Sequence, residues 1–468
     1  MGTVLSNILK ELPEEDKTNY RAINSSLFKQ NNKVCIIVDD DPTGNQTVYN
    51  VPLLTSWNLD VFITEFKNKT PVFFVLTNSR SLSAAKTLKI YKDIAQKIEK
   101  ASKLTKQDFT LVSRSDSTLR GHFPLEPNTL KEYANLNESI TVFIPVMFEG
   151  GRVTVNNTHY VLDNQTLTPV SETPFAKDHS FAYSNSNLKS YIEEKTEGNV
   201  EASGVHSFSL NTIRTEKSAE IANQIIALPA NTYCVFNSIN YQDLDKVTHA
   251  LLLAEKLGKK IVYRTSSSFV PSYIGLPPKS LLSASDLVKG HSKNGGLTIV
   301  GSYVKKSSEQ LQSALTCFNK ESIVEVDVNQ IITDQNNSYK NTLVHQINTN
   351  ISAGKDVIVF TSRTLITGAN TASTIQIASK ISQALVYLVN TLSITPRYLI
   401  AKGGITSHDI ATKGLGMKRS KVLGQLLPGI PVWEMGDETK FSHLPYVVFP
   451  GNVGNTDSLQ TIIKKLAN

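Results

Sequence analysis

Short apolar runs alternate along this chain with longer stretches whose apolar residues fall at helical spacing. The run Val34–Val38 empties into three carboxylates, Asp39, Asp40 and Asp41, followed by Pro42, Thr43 and Gly44. A β-rich apolar run bounded by Pro and Gly predicts a buried strand ending in a tight turn. Pro71–Asn78, Phe109–Ser113 and Ile140–Val146 repeat the pattern. Between them, Ser81–Leu104 spaces Leu82, Ala85, Leu88, Ile90, Ile94 and Ile98 as a helix face, with Ser81 or Ser83 as its cap. This strand–helix–strand rhythm predicts a parallel sheet. At Arg152–Val161 the period becomes two around Asn156-Asn157, which predicts a hairpin, so the sheet is not purely parallel. Residues 1–32 are polar and predict a peripheral helical lead-in.

Helical patterns at Glu216–Leu228 and Leu244–Leu257, with strands at Tyr233–Phe236 and Ile261–Arg264, continue the first half. Periodicity then weakens through Thr265–Asn294, which is rich in Pro and Ser. The alternation restarts with strands at Leu297–Val300, Ile323–Val328, Val357–Phe360 and Tyr398–Ala401, and helices at Ser307–Phe318, Asp334–Asn348 and Ala372–Leu392. The expectation is an α/β protein of two domains, residues 1–285 and 286–468, with mainly parallel sheets flanked by helices and an active-site cleft between them. A length of 468 residues suits two domains.

Composition narrows the class. Apolar residues make up 40% and charged ones 19%, which indicates a folded globular chain. Lys and Arg number 48 against 41 Asp and Glu, a net charge of +7 without a basic stripe. That distribution argues against a nucleic-acid partner and suits an enzyme of acidic or phosphorylated small molecules. Cys35, Cys234 and Cys317 lack zinc or disulfide spacing and read as inert thiols in a reducing compartment. No apolar run is long enough for a membrane span or a signal peptide, so a cytoplasmic location is expected. Met1-Gly2 with Ser6 superficially fits a myristoylation pattern; a chance match is the favoured reading.

Candidate chemistry gathers at strand ends, where open α/β sheets bind ligands. The acidic turn Asp39–Gly44 reads equally as a base or metal-associated carboxylate framed by Thr43 and Gly44, or as a solvated loop. The third strand delivers Arg114, Asp116, Ser117, Thr118, Arg120 and His122 into one turn. Its arginines suit carboxylate or phosphate recognition, and Asp116 among them is expected to stay ionised. A self-satisfied loop with internal Arg–Asp pairs is the competing reading, and His122 reads as structural. After the fourth strand, Gly150-Gly151 permits close backbone approach and Arg152 can reach an anion. Lys177–Ser180 reads as surface. The second half instead places glycines and hydroxyls at strand ends: Gly301-Ser302, Thr361-Ser362-Arg363, Lys402–Ser407, Gly429–Val432 and Gly451–Asn455. Glycine pairs with Thr or Ser at a helix N-cap offer free N–H groups to a phosphate. Neither a P-loop nor a dinucleotide fingerprint is present. One domain offering carboxylates and arginines, and another offering a phosphate cradle, suit phosphoryl transfer to a small acidic acceptor.

These motifs together resemble the four-carbon acid sugar kinase family (DUF1537, 3-oxo-tetronate kinase-like), whose members sometimes carry the label Hrp-dependent type III effector. The resemblance rests on Asp39–Gly44, the Asp-Ser-Thr-Leu-Arg-Gly turn Asp116–Gly121, Gly151-Arg152, Gly301-Ser302, Gly403–Ser407 and Gly451–Gly454. It implies an N-terminal acid-sugar-binding domain, a C-terminal nucleotide-binding domain, and ATP- and Mg²⁺-dependent phosphorylation of a tetronate or oxo-tetronate at its terminal hydroxyl. By that carry-over Ser302, Gly403, Gly404, Ile405, Thr406, Gly451, Asn452 and Gly454 contact ATP. Asp41, Thr43, Gly44, Ser117, Thr118, Arg120 and Arg152 contact substrate. Asp40 leads as catalytic base, with Asp39 and Asp116 behind it. The chain departs from the family at Pro42, at Asn237, where Asp is common, at Ile405, where Glu is common, and at Pro450, so no metal ligand is assigned. A homodimer is plausible from the resemblance. A non-catalytic, nucleotide-dependent sensor or interaction protein is the alternative class.

Overall fold

The computed structural model describes residues 3–288, 293–363 and 371–467. Met1 and Gly2, on which the myristoylation pattern depends, lie outside the described residues. The chain divides into two units, residues 1–48 with 56–278, and residues 49–55 with 279–468.

In the first unit the apolar runs form the strands β1 (Thr3–Val4), β2 (Val34–Asp39), β4 (Val72–Leu76), β5 (Phe109–Arg114) and β6 (Ile140–Ile144). The strand β3 (Val51–Leu54) falls between β2 and β4 in sequence but belongs to the second unit. Next come β7 (Arg152–Val155), β8 (Thr158–Asp163), β9 (Thr166–Pro169), β10 (His206–Phe208), β11 (Tyr233–Phe236) and β12 (Ile261–Thr265). The main sheet has the order β10-β11-β6-β12-β5-β2-β4, and every pairing in it is parallel. β2 is buried along its whole length, as a central strand covered by helices on both faces must be. From β2 the chain crosses first to β4 on one side and then to β5 on the other. The direction of winding therefore reverses at β2 and β5, the place where such sheets open a ligand crevice.

The predicted hairpin is present. β7 and β8 pair antiparallel across Asn156 and Asn157, both in the left-handed region (φ 47° and 61°), as a two-residue turn of this kind requires. With β9 and β1 they form a separate antiparallel sheet. Thr154 and Ser238 exchange backbone hydrogen bonds of 3.0 Å, which ties the hairpin to the chain just past β11.

The helix Ala84–Thr105 starts after Ser83 and ends where Lys106 turns left-handed (φ 56°). Its buried stripe is Thr87, Tyr91, Ile94, Ala95, Ile98 and Ala101, while Leu88, expected to face inward, is 41% exposed. Ala85 is exposed as well and Ile90 is half-buried, whereas Tyr91 is fully buried. The polar lead-in forms the helices Leu5–Glu11 and Tyr20–Asn31. The second of these is fixed by Asn24, whose Nδ2 donates to Asp245 O (2.8 Å) and Thr248 Oγ1 (2.9 Å).

The second unit contains β13 (Leu297–Val300), β14 (Ile323–Val326), β15 (Val357–Thr361), β16 (Leu399–Lys402), β17 (Arg419–Leu427), β18 (Ile430–Met435) and β19 (Pro445–Phe449). Its strands run in the order β3-β17-β18-β19-β16-β13-β15-β14. β19, β16, β13, β15 and β14 are parallel, whereas β3, β17 and β18 join antiparallel. Gly429, expected at a ligand-facing edge, instead turns the β17–β18 hairpin at φ 79°. Val300, Ile358, Ile400, Val447 and Phe449 form the core with Leu311, Leu459 and Ile462 from the flanking helices. No helix among the described residues is long and apolar enough to cross a membrane.

Ile37 lies at the centre of β2 with no exposed surface. Ile37→Ala is expected to destabilise the first unit by about 2–5 kcal/mol through lost burial and the cavity left behind, measured by urea denaturation followed by far-UV circular dichroism.

Candidate active site

The ends of β2 and β5 are register partners, so the fold sets Asp39 opposite Arg114. Arg114 Nη1 lies 3.1 Å from Asp39 Oδ1, and Arg114 Nη2 donates to Ser267 Oγ (2.8 Å), just past β12. The neighbouring strand β4 closes the cluster from its other side. Thr77 donates from N and Oγ1 to Asp39 O, both at 2.9 Å. Asn78 then turns left-handed (φ 52°) and throws Arg80 back over the acidic turn. Arg80 Nη2 and Nε reach Asp40 Oδ1 (2.5 Å) and Oδ2 (3.1 Å). Arg80 Nη1 lies 3.1 Å from Asp41 Oδ2 and 3.8 Å from Asp116 Oδ1. One guanidinium thus spans carboxylates from two strand ends. Arg80 was outside the sequence-derived candidates.

The carboxylates form an inner and an outer layer. Asp39 and Asp40 have no exposed surface, while the side chains of Asp41 and Asp116 keep 22% and 13%. Burial pushes the Asp39 carboxyl up to about 7; Arg114 opposes the shift, and Asp40 and Asp41 add to it. Its Oδ2 has no hydrogen-bond partner among the described residues. For Asp116 burial works upward too, but Arg80 and Arg120 outweigh it and hold the group well below the usual carboxylate range. Asp41 is also held low: Arg80 and the bonds from Thr43 overcome its burial. Asp40 is engaged on both oxygens, by Arg80 and by Ser115 Oγ at 2.6 Å. Glu126 lies buried beside the cluster, accepting from Ser79 Oγ (2.7 Å). Its pKa is raised by burial and by Asp40.

The Asp116–Gly121 turn is held from outside. Tyr183 and Tyr191 hydroxyls donate to Thr118 O and Leu119 O, each at 2.7 Å, fixing Leu119 in the left-handed region (φ 67°). Within the turn, Thr118 Oγ1 and Arg120 Nε (2.7 Å) both bond Asp116 Oδ2. The internal Arg–Asp pair expected of a self-satisfied loop therefore exists, and Arg80 reaches the same carboxylate from another strand. Arg120 and Arg152 lie 5.1 and 5.6 Å from the ring centre of Phe175. Arg152 donates through Nη1 to Gly150 O, and its Nε is unpartnered among the described residues. In the Lys177–Ser180 loop, Asp178 Oδ2 stands 3.7 Å from Arg120 Nη1.

Smaller parts fix this geometry. A side chain at Gly44 would collide with the Asp39 carboxylate and the Arg114 guanidinium. Ser117 is buried, and its carbonyl accepts from His159 Nε2 (2.8 Å). His159 Nδ1 then accepts from Thr154 Oγ1 (2.9 Å), and burial lowers this histidine to about 4, so it stays neutral. His122 Nε2 lies against Ser79 O and Leu82 O, the structural role read from the sequence.

In the second unit the ends of β13, β16 and β19 meet. Ser307 Oγ lies 2.9 Å from Ser302 Oγ and 3.0 Å from Gly451 O. Gly403 adopts φ 116°, and a Cβ there would stand 3.0 Å from Ser302 Cβ and 3.2 Å from Thr406 Oγ1. Ser302, Gly403, Thr406 and Gly451 are thus drawn together. The cap of the helix that follows is Gly403, not Thr406 or Ser407. Ser407 Oγ instead donates to Ala401 O (2.7 Å). Gly404 faces open space and Ile405 is 60% exposed. Asn452 is exposed in the next loop, and Gly454 (φ 83°) abuts Ser458 at the head of the last helix. The crowded glycines fit a bound phosphate chain, since side chains would fill that cradle. Among the described residues no group of three or more His, Cys, Asp or Glu is arranged to hold a metal ion. The carboxylates of the acidic turn are faced by Arg80 and Arg114.

Residues 35–273 match the family model of a sugar-binding N-terminal domain, and residues 297–459 match that of a nucleotide-binding C-terminal domain. Fold and site thus define a two-domain protein that joins sugar binding to nucleotide binding. The chain belongs to the four-carbon acid sugar kinase family, DUF1537. Among solved structures it is similar to the DUF1537 protein HI1011 of Haemophilus influenzae. That match has 16% identity and a TM-score of 0.62, covering 92% of this chain and 100% of the other. A Salmonella typhimurium LT2 protein with the provisional name of a tRNA synthase is also similar, at 16% identity and a TM-score of 0.67, covering 92% and 98%. At such identity the likeness is one of fold. Comparison with curated proteins finds no match.

Two outcomes are expected. Arg80→Met leaves three carboxylates short of their counter-charge and destabilises the first unit by about 3–5 kcal/mol in chemical denaturation. Native Asp39 retains a proton that the unfolded chain releases between about pH 4 and 7, so this group's contribution to stability falls as pH rises through that window. The melting temperature of Asp39→Asn relative to wild type should therefore rise from about pH 5 to about pH 8. A difference that stays flat with pH would contradict the protonated assignment.

Proposed function

We propose that this chain is an ATP-dependent kinase that phosphorylates the terminal hydroxyl of a four-carbon acid sugar, a tetronate or an oxo-tetronate. The observation that carries the reading is the outer layer of the sugar-binding domain. There Arg80 and Arg120 reach the ionised Asp116, Arg152 stands within its field, and Arg120 and Arg152 both lie beside Phe175. Arg120 and Arg152 are suited to a sugar carboxylate, because guanidinium matches its geometry and Arg152 retains an unpartnered donor. Asp116 is suited to accept the hydroxyl proton. It is ionised at neutral pH, and phosphoryl transfer depends more on positioning than on a strong base.

On this reading Asp116 takes precedence over Asp40 and Asp39 as the base. Asp40 and Asp39 are fully buried and hold Arg80 and Arg114, so we assign them as positioning residues. In the nucleotide-binding domain, Ser302, Gly403, Gly404, Thr406 and Gly451 would hold the phosphates of ATP through backbone N–H and hydroxyl groups. Bound ATP supplies the phosphoryl group. The three cysteines are free, in keeping with a reducing, cytoplasmic setting.

The test is ADP release with ATP, Mg²⁺ and a panel of erythronate, threonate and their 2-oxo and 3-oxo forms. Turnover is expected on at least one. On that substrate Asp116→Asn should lower kcat by about 10²–10⁴-fold with a smaller change in KM. Arg152→Met should act mainly on KM. Full kcat in Asp116→Asn together with loss in Asp40→Asn would return the base role to Asp40. ATP binding without turnover across the panel would favour a nucleotide-dependent sensor.

A further inference from the structure

The nucleotide-binding domain carries two cations that its own fold does not neutralise. Lys402 ends β16 and has no exposed surface. Its Nζ donates to Pro450 O (3.1 Å) and lies 3.9 Å from the centre of the Phe449 ring. Arg363 follows β15, partly buried, and donates through Nη1 to Ser302 O (2.6 Å). Its Nε and Nη2 are buried with no partner among the described residues. Among the described residues neither cation forms an ion pair. The acidic group whose field reaches Arg363 is Glu325, on the exposed face of β14.

The backbone of Ser302 ties the two residues together, although only Arg363 reaches it with its charged group. Ser302 N donates to Lys402 O (3.2 Å), while Ser302 O accepts from Arg363. Pro450, which receives the Lys402 amine, directly precedes Gly451. Burial, Lys306 and Arg363 together depress Lys402 to about 7, as expected of a buried ammonium surrounded by its own sign. A fold keeps unpaired buried cations at a cost in stability, and an anionic ligand is the partner that offsets it.

We propose that Lys402 and Arg363 are the cationic side chains of a polyphosphate site. They would take phosphate oxygens of the nucleoside triphosphate that the cradle of Ser302, Gly403 and Gly451 receives. The inference rests on the nucleotide reading above and adds a charge clamp to a domain that lacks the P-loop lysine. Lysine serves such a site as a point charge, and arginine adds a forked donor pair, which matches the two donors left open on Arg363.

The experiment is calorimetric titration of the full chain with ATP, adenosine and inorganic tripolyphosphate in Mg²⁺ buffer, on wild type, Lys402→Met and Arg363→Gln. Each variant should bind ATP and tripolyphosphate about tenfold more weakly or worse, with adenosine affinity unchanged. The unliganded Lys402→Met protein should melt at or above the wild-type temperature, since methionine fills similar volume without a buried charge. Wild-type affinity for ATP and tripolyphosphate in either variant would overturn the proposal. So would an equal loss for adenosine, which would mark a merely structural role. Wild-type protein that binds tripolyphosphate but neither ATP nor adenosine would sink the nucleotide reading and leave the clamp standing. Wild-type protein that binds none of the three would sink both.

Discussion

Packing several carboxylates at one sheet edge is the constraint that organises the sugar-binding unit. Asp39 and Asp40 lie side by side without solvent, and Asp41 and Asp116 are close by. Unopposed, such charges would protonate or force the edge open. Two arginines oppose this from opposite directions, although burial still raises Asp39 to about 7. Arg114 comes up the adjacent strand to Asp39, and Arg80 comes over from the end of β4 to Asp40, Asp41 and Asp116. Much of the surrounding architecture serves that compensation. The left-handed turn at Asn78 aims Arg80, the glycine at 44 lets the acidic turn lie flat on Asp39, and Ser267 steadies Arg114. Each carboxylate of the cluster is faced by an arginine that comes from a different strand end.

The nucleotide-binding unit solves the opposite problem. Its strand ends carry glycines and hydroxyls in close contact and buried positive charge that forms no ion pair among the described residues. The sugar-binding edge is already neutralised by its own residues, whereas this edge is left electrostatically incomplete. An incomplete edge of positive sign is what an anion-binding site looks like before its ligand arrives. The two units thus differ in what they demand of a ligand. One offers arginines already in partnership, which can share donors with a carboxylate, and the other offers cations still in need of a counter-charge.

The main strands and the chemistry on them were legible in the sequence because burial on both faces writes a continuous apolar run, and the strand-end residues follow it directly. The Asn156-Asn157 hairpin was legible for a different reason: only certain residues tolerate its backbone. What was hidden depended on contacts between distant segments. Arg80 sits in Thr-Asn-Ser-Arg-Ser, which read as the tail of one strand and the cap of the next helix. Nothing local shows that a left-handed asparagine turns that arginine onto carboxylates some forty residues away in sequence. β3 pairs with β17 across a separation that periodicity cannot report. Gly429 looked like the other glycines at strand ends, because a hairpin turn and a phosphate cradle both need a residue without a side chain. A lysine before two glycines looks solvent-facing in the sequence, and only the end of β16 shows Lys402 to be buried.

This distinction bears on how the acidic motif should be read. Three consecutive aspartates invite the view that the middle one does the chemistry. In the folded chain their roles diverge by depth. The deepest is raised in pKa by burial, the next is saturated by Arg80 and Ser115, and the third is held ionised at the surface by Arg80 and Thr43. Adjacent residues on a strand end point to opposite faces, so neighbours in sequence meet different surroundings. Asp116, in the turn past another strand, shares the Arg80 guanidinium with Asp41, whereas Asp39 pairs with Arg114. The electrostatic unit at this edge is therefore the set of carboxylates that one guanidinium can reach, which is not contiguous in sequence. Any assignment of acid–base roles along the motif has to begin from that arginine.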